Sequence, residues 1–171
     1  MRTRQISPYF DILEDETGAQ RLVVYHEGIA LLRLVLTNKG TAFTPEEREQ
    51  LGLDGLLPPA YNTLEQQLER VYRGYRELTS PLAKYQFLRS LQERQEIAFY
   101  ALLQRHLTEM LSIVYTPTVG DAVKQFNALY QTPRGLSLSP HNIERACDVA
   151  RNYPMEDVRM IVATDSSAIL G

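Results

Sequence analysis

Two regularly spaced sets of apolar residues limit the possible folds of this chain more than any other feature. The first set runs from Leu64 to Tyr75 and places its apolar side chains on one face at helical spacing. The break at 79–81, with serine before proline, ends that pattern and starts a second, longer set from Leu82 to Met110. Two long amphipathic helices with a short connection pack antiparallel, so a helical core is expected.

Capping motifs mark the starts of several helices. Thr44–Glu47 combines a threonine cap, a proline in the first turn and a glutamate three residues after the cap. This motif predicts a short helix that ends near Gly52. Asn62 and Thr63 can each cap the first long helix, and the pattern Thr-x-x-Asp that begins at Thr118 predicts a capped helix that continues to residue 130.

Two extended runs precede the helical region. Tyr9–Leu13 and Arg21–His26 are rich in residues that favour strands. The segment between them, Glu14–Gly18, is polar and ends in a glycine that can adopt a positive φ angle. The sequence therefore predicts a small β-hairpin.

The pattern changes again near the end of the chain. Leu136–Leu138 is strand-like, a helix is predicted from Ser139 to about Asn152, and Val158–Thr164 has the composition of a buried strand. Strand, helix and strand in this order open a parallel sheet. Such a sheet needs several strands and cover on both faces, so the rest of it is expected beyond Gly171.

These patterns together predict a mainly α fold with a small N-terminal β-hairpin, followed by the start of an α/β domain. We place the hairpin extension at residues 1–27 and the helical domain at residues 28–132. Residues 133–171 then form the incomplete start of the α/β domain.

Composition argues against two classes of partner. The formal net charge is −3, and 18 basic residues are spread among 21 acidic ones, so the basic patch typical of nucleic-acid binding is missing. The longest apolar run, Gly28–Leu36, is interrupted by Arg33 and is too short to cross a bilayer. We therefore expect neither nucleic acid nor membrane as a partner, and a cytoplasmic location.

Common catalytic and ligand-binding motifs are missing from the sequence. It contains no dinucleotide fingerprint, phosphate loop, HExxH pair or GxSxG turn. His26, His106 and His141 are scattered without metal-ligand spacing, and each is interpreted as structural or solvated. Cys147, the single cysteine, has no CxxC partner and is expected to be a small buried apolar residue.

One irregular segment, Ile113–Gly120, stands out from the helical pattern. It presents Tyr115 two residues before a proline and close to the start of a helix, where free N–H groups favour an anionic ligand. The alternative is that the ring only anchors the loop, which is the commoner role for a tyrosine. The chain has ten tyrosines, so this position alone does not decide between the two.

Six blocks of the sequence, taken in order, resemble the malic enzymes over residues 35–171. The blocks are Thr37–Thr44, Gly55–Pro59, Thr79–Tyr85, Gln92–Arg94, Ile113–Gly120 and Pro133–Leu136. The hairpin at 8–26 is similar to an extension found in some bacterial members. Six blocks in the family's order and approximate spacing are a far more specific match than any one of them.

The resemblance implies an oxidative decarboxylase that converts L-malate to pyruvate and carbon dioxide. Members use NAD or NADP and a divalent metal, Mg or Mn, and the parent enzyme is expected to be a homodimer formed through its helical part. Tyr115 matches the tyrosine that protonates enolpyruvate, assisted by a lysine further along the family's chain. The metal ligands and the dinucleotide domain also lie beyond Gly171, so this chain alone is expected to bind no cofactor or metal and to be inactive.

Other positions matter because they match or depart from the family pattern. Arg70 and Arg94 match two arginines that bind an activator at the dimer interface of certain animal members. A glutamate of that activator site corresponds here to Asn62, so ordinary ion pairs on polar helix faces are the preferred interpretation. Ala168 stands where many members carry an arginine that binds a malate carboxylate, and alanine cannot supply those hydrogen bonds.

Two alternatives remain open from the sequence. A malolactic enzyme, which releases lactate from malate, also lacks the arginine at the position of Ala168, although the block around Tyr115 is more similar to malic enzymes. The second alternative is that the chain is a non-catalytic module for dimerisation or ligand sensing that retains the malic-enzyme N-terminal fold.

Overall fold

The computed structural model describes residues 2–130, 132, 135–153, 158 and 160–165. Contacts divide the chain into one unit within residues 1–25 and 131–163 and a second within residues 26–130 and 164–171. The division into three domains proposed above stays a prediction. Among the helices that the structure describes, none combines the length and the apolar content needed to cross a bilayer.

The first unit contains a three-stranded antiparallel sheet in the order β1-β2-β3, formed by Arg2–Ser7, Phe10–Glu14 and Gln20–Val24. Strands β2 and β3 pair from Phe10↔Val24 to Glu14↔Gln20, which confirms the predicted hairpin. Strand β1 was not expected, because its sequence RTRQIS lacks the alternation of apolar and polar residues that predicts a half-buried strand.

The turn of this hairpin is held by its own first residue. The Asp15 carboxylate accepts hydrogen bonds from the N–H groups of Thr17 (2.9 Å) and Ala19 (3.0 Å). Gly18 adopts a φ of 81°, the conformation for which glycine was expected in the turn. These contacts link only residues of the turn itself.

The remaining described elements are helical. In chain order they are α1 (Gly28–Arg33), α2 (Pro45–Gln50), α3 (Leu64–Glu77), α4 (Pro81–Gln92), α5 (Glu96–Arg105), α6 (Leu107–Val114), α7 (Thr118–Lys124), α8 (Phe126–Leu129) and α9 (Ala146–Arg151), with short 3-10 turns at Gly40–Ala42 and Ile143–Arg145. The mainly helical fold class is thereby confirmed.

Two of the predicted helix caps form as the sequence indicates. The Thr44 side chain accepts from the N–H of Glu47, whose carboxylate in turn accepts from the N–H of Thr44. Thr63 and Gln66 form the same reciprocal box at the start of α3. Each box satisfies backbone N–H groups that the first helical turn leaves without a partner.

The second long helix predicted from residue 82 to residue 110 is wrong, because α4, α5 and α6 occupy this region as separate helices. The first break follows Gln92, where the N–H of Glu96 turns away to the Val35 carbonyl at 3.1 Å. The second lies at His106, whose φ of −120° and ψ of 33° depart from helical values. The breaks allow α5 to pack on both α3 and α4.

The core of the second unit lies among these helices. Its buried members come from α3, α4, α5 and α6, and they are Leu68, Tyr75, Leu88, Leu91, Ala98, Phe99, Leu102, Met110 and Ile113. Burial raises the pKa of the Tyr75 phenol to about 12, so this tyrosine is a poor proton donor near neutral pH. Met110 and Ile113 anchor α6 in this core, and Tyr115 comes directly after α6 in the chain.

A loop at residues 37–44 lies between α1 and α2 in the chain and contacts the larger helices. The Asn38 amide donates to the Leu32 carbonyl at 2.9 Å and to the Arg94 carbonyl at 3.3 Å. The Gln67 amide donates to the Lys39 carbonyl at 2.9 Å, and Gln67 is buried. These side chains tie the 37–44 loop to α1, α3 and the α4–α5 connection.

Gly40 lies at the most crowded point of the 37–44 loop. Its φ is +56°, and a Cβ built on it would lie 2.1 Å from Gln95 Nε2 and 2.8 Å from Gln67 Oε1. Lys39 Nζ contacts both carboxylate oxygens of Glu47 at 2.6 Å, which adds a link to α2. Both the backbone conformation and the available space therefore require glycine at position 40.

Arg48 is a buried cation neutralised by carbonyl dipoles. Only 6% of the residue is exposed. Nε donates to the Phe43 carbonyl at 2.9 Å, Nη1 to the Pro58 carbonyl at 2.8 Å and Nη2 to the Thr41 carbonyl at 3.1 Å. The guanidinium thus holds the segment after α2 against the 37–44 loop.

The C-terminal part of the first unit contains a helix shorter than expected. Helix α9 begins at Ala146, after a 3-10 turn, instead of at Ser139. Residues 136–138 have irregular backbone, and so do the described members of the predicted strand 158–164, of which Ile161 and Val162 are more than four-fifths exposed. The strand-helix-strand unit therefore stays a prediction.

Candidate functional site

Tyr115 lies at the C-terminal end of α6, and both its backbone N–H and its carbonyl group form hydrogen bonds. Its N–H donates to the Leu111 carbonyl and its own carbonyl accepts from the N–H of Val119, each at 2.9 Å. The neighbouring Ile113 and Val119 are buried, and Thr118 Oγ1 donates to the Ser112 carbonyl at 2.8 Å. The loop is thus packed and hydrogen-bonded while its tyrosine side chain is 52% exposed.

The start of α7 is not the anion site that the sequence suggested. The N–H of Val119 is used by the Tyr115 carbonyl and the N–H of Gly120 by the Pro117 carbonyl. Thr118 is also not the predicted cap, because it is the first residue of α7 and its hydroxyl donates instead of accepting. Two of the N–H groups expected to attract an anion are therefore already satisfied.

The phenol of Tyr115 lies on open surface. Among the described residues none forms a hydrogen bond with its hydroxyl, and Tyr115 lines neither of two surface hollows. One hollow, of about 390 Å³, is bounded by residues 123–128, and the other, of about 300 Å³, lies between α3 and α5. The phenol is therefore accessible, but the described residues do not enclose a substrate around it.

A cluster that the sequence did not reveal holds the other end of α6. The Tyr72 ring stacks on the His106 imidazole with centroids 3.7 Å apart and planes 11° from parallel. The Tyr72 hydroxyl donates to Glu109 Oε2 at 2.7 Å, and this bond raises the pKa of the Tyr72 phenol. We call these three residues the Tyr72–His106–Glu109 cluster.

The two candidate effector residues make other contacts than the ion pairs preferred from the sequence. Arg70 Nη1 lies 3.5 Å from Asn62 Oδ1, and Arg94 Nε donates to the Ser90 carbonyl at 3.0 Å. Glu65, which lies five residues before Arg70, forms two bonds to Arg105, with 2.6 Å between Nη2 and Oε2. The structure brings neither arginine into hydrogen-bonding contact with Tyr115 within its described part.

Glu93, the neighbour of Arg94 in the sequence, forms an ion pair with Arg89 at 3.2 Å. Arg94 is nevertheless close to the 37–44 loop, because its carbonyl accepts from Asn38. Arg70 is linked to the same loop through Asn62, whose N–H donates to the Thr41 carbonyl at 3.1 Å. Both arginines therefore border one loop, although no anion site follows from these contacts alone.

The described residues do not provide a metal centre. Within 2–130 and the described positions beyond, no three side chains of His, Cys, Asp or Glu lie together as ligands. Cys147 is exposed, so its expected burial is wrong. Ala146 and Val149, three residues apart, take the partly buried face of the short α9 and leave Cys147 outside it.

Comparison with known proteins agrees with the resemblance seen in the sequence. A family model described as "Malic enzyme, N-terminal domain" matches residues 92–171. This match includes the loop that carries Tyr115.

Three relatives named NAD-dependent malic enzyme show how far the similarity extends. One from Pseudomonas syringae pv. tomato is 44% identical over 155 residues, 91% of this chain and 28% of the relative. One from Idiomarina loihiensis is 45% identical over 150 residues, which are 88% of this chain and 27% of the relative. One from Aeromonas salmonicida is 43% identical over 160 residues, which are 94% of this chain and 28% of the relative. The chain thus spans a little over a quarter of the length of these relatives.

Proposed function

Because this chain belongs to the malic enzyme family, we propose that the whole protein converts L-malate and NAD to pyruvate, carbon dioxide and NADH. The observation that carries the proposal is an identity of 43–45% with NAD-dependent malic enzymes over about nine-tenths of this chain. NAD is favoured over NADP because these relatives are named for it. The cytoplasm is the proposed location.

Tyr115 is the proposed general acid of this reaction. Loss of carbon dioxide leaves enolpyruvate, which becomes pyruvate when its terminal carbon gains a proton and its enol oxygen loses one. A phenol carries one proton that it can donate, which makes tyrosine one of the side chains used as general acids. Exposure of the Tyr115 side chain on a loop with fixed backbone supports this role, since a donor must reach the substrate from a defined position.

The family also implies a divalent metal, Mg or Mn, but the described residues do not fit one. They form no group of three potential ligands, and we assign no step to a metal here. Residues elsewhere in the whole protein are the proposed source of the ligands and of the lysine that assists Tyr115.

Replacement of Tyr115 by phenylalanine in the whole protein tests the proposal. The substitution keeps the ring but removes the donated proton, so turnover should fall by about a hundred- to ten-thousand-fold while the KM for malate changes little. Tyr100→Phe is the matched control, because Tyr100 is equally exposed, at 53%, and lies on α5. Near-normal turnover of Tyr115→Phe with lowered thermal stability would instead identify Tyr115 as a loop anchor.

Ala168 keeps the malolactic reaction as a second candidate, although this position lies outside the described residues. The products separate the two reactions. A malic enzyme accumulates pyruvate and NADH in equal amounts, whereas a malolactic enzyme accumulates lactate without net NADH. Lactate as the main product would refute the oxidative assignment.

A homodimer formed through the helical part is the proposed assembly, with Arg70 and Arg94 as candidate interface or effector residues. Support comes from apolar side chains that remain about half exposed on α6 and α8, including Leu107, Leu111 and Phe126. Arg70 and Arg94 are both exposed beside the 37–44 loop, which supports their candidacy. A monomer at micromolar concentration in analytical ultracentrifugation would contradict the dimer.

A further inference from the structure

We propose that Tyr72 is a positioning residue for Tyr115, acting through His106 and Glu109 at the opposite end of α6. The inference rests on the proposed role of Tyr115 as the proton donor. The role concerns the position of the Tyr115 phenol. It is indirect, because Tyr72 lies on α3 and contacts the first residues of α6 and not the exposed phenol.

The start of α6 is where the direction of this helix is set. His106 lies between α5 and α6 with non-helical backbone angles, and its side chain makes no capping bond. Met110 and Ile113 bury one face of α6 and fix how deeply it lies in the core. Burial alone does not fix rotation or tilt, since apolar contact has no preferred direction.

Tyr72 supplies the directional contacts that burial lacks. Its ring stacks face to face on His106, and its hydroxyl donates a short bond to Glu109, three residues further along the chain. One side chain therefore holds two points of the first turn of α6. The Arg76 guanidinium lies 5.9 Å from the centroid of the same ring and restrains it from its own helix.

The length of α6 turns a small change at its start into a displacement of Tyr115. Eight residues make a helix of about 12 Å, so a tilt of about 5° moves its far end by about 1 Å. A misplacement of about 1 Å costs up to about a hundredfold in rate. Tyr72→Phe removes one of the two contacts and keeps the stack, so a loss of about tenfold in kcat is expected.

The test uses the whole protein with malate and NAD. Tyr72→Phe and Glu109→Ala should each lower kcat by about tenfold and leave the KM for malate within about twofold. Glu109→Gln keeps an acceptor for the Tyr72 hydroxyl and should recover most of the activity. Tyr100→Phe again serves as the control for loss of an exposed phenol.

The decisive measurement places Tyr72→Phe in the Tyr115→Phe background. If Tyr72 acts only by aiming the Tyr115 phenol, the second substitution has no further effect on kcat, because the aimed group is already gone. General damage to the fold would lower kcat by the same factor in both backgrounds, and this result would overturn the inference. Normal turnover of Tyr72→Phe would overturn it as well.

Failure of the proposed function has a different signature. In that case the unsubstituted protein shows no malate-dependent NADH formation, or Tyr115→Phe keeps full activity. Either result removes the positioning role together with the donor. An active protein with an impaired Tyr115→Phe variant and a normal Tyr72→Phe variant refutes the positioning role alone.

Discussion

Gly40→Ala should destabilise the second unit strongly, because two costs add at this position. A φ of +56° costs an L residue about 1–2 kcal/mol. The new methyl group would lie 2.8 Å from Gln67 Oε1, and Gln67 is buried and bonded to the Lys39 carbonyl. Displacing that amide leaves buried polar groups unsatisfied, which costs a further 1–3 kcal/mol, so the expected loss is about 2–5 kcal/mol.

Gly55→Ala is the matched control for backbone strain. Gly55 belongs to the same unit and has a φ of +79°, but nothing lies within 4 Å of its added Cβ. This variant should therefore lose only the stability that backbone strain costs, about 1–2 kcal/mol. The difference between the two variants measures the crowding around Gly40.

Urea denaturation followed by far-UV circular dichroism provides the measurement, because most of the described helices belong to this unit. The added Cβ would meet the ends of the Gln95 and Gln67 side chains, and the buried Gln67 cannot move away without losing its bond to the Lys39 carbonyl. If Gly40→Ala loses no more free energy of unfolding than Gly55→Ala, the 37–44 loop rearranges at little cost and its conformation is not fixed.

Two further predictions concern charged side chains. Arg48→Met should lower the free energy of unfolding by about 3 kcal/mol in the same assay, since the carbonyls of Phe43 and Pro58 lose their donor and the Thr41 carbonyl keeps only the bond from the N–H of Asn62, and a stability equal to wild type would contradict this. The bonds from Arg105 lower the pKa of Glu65 from 4.5. The folded state therefore gains stability from this pair above pH 4.5 and loses it as the pH falls through the lowered value, because the unfolded chain takes up the proton first. Between about pH 6 and pH 3 wild type should lose more stability than Glu65→Gln, and parallel curves would show that the pair contributes nothing.

The starts of α2 and α3 could be predicted from sequence because their determinants are local. Thr44 and Thr63 bond to residues three positions away, within a span that sequence motifs describe. Thr118 carries the same motif but donates to Ser112 instead, because α6 ends directly before it and offers an unpaired carbonyl. A motif therefore predicts a cap only where no competing group lies nearby.

The breaks between α4, α5 and α6 could not be predicted, because they depend on distant partners. Glu96 bonds to Val35, sixty-one positions earlier, and the Tyr72 hydroxyl bonds to Glu109, thirty-seven positions later. The apolar spacing continues through both breaks, so a helical pattern gave no sign of them. Tyr115 itself could be selected only through the family resemblance, since its local pattern also fits a loop anchor.

The hairpin turn and the 37–44 loop differ in how readily each would accept an inserted residue. The turn at Asp15–Ala19 bonds only to itself, so extra residues at its tip would displace contacts that no other element uses. The 37–44 loop is bonded to three helices, α1, α2 and α3, and to the α4–α5 connection, so a single inserted residue would shift several of these contacts at once. Labels and peptide tags therefore belong at the hairpin, whereas the length of the loop around Gly40 is fixed by everything that surrounds it.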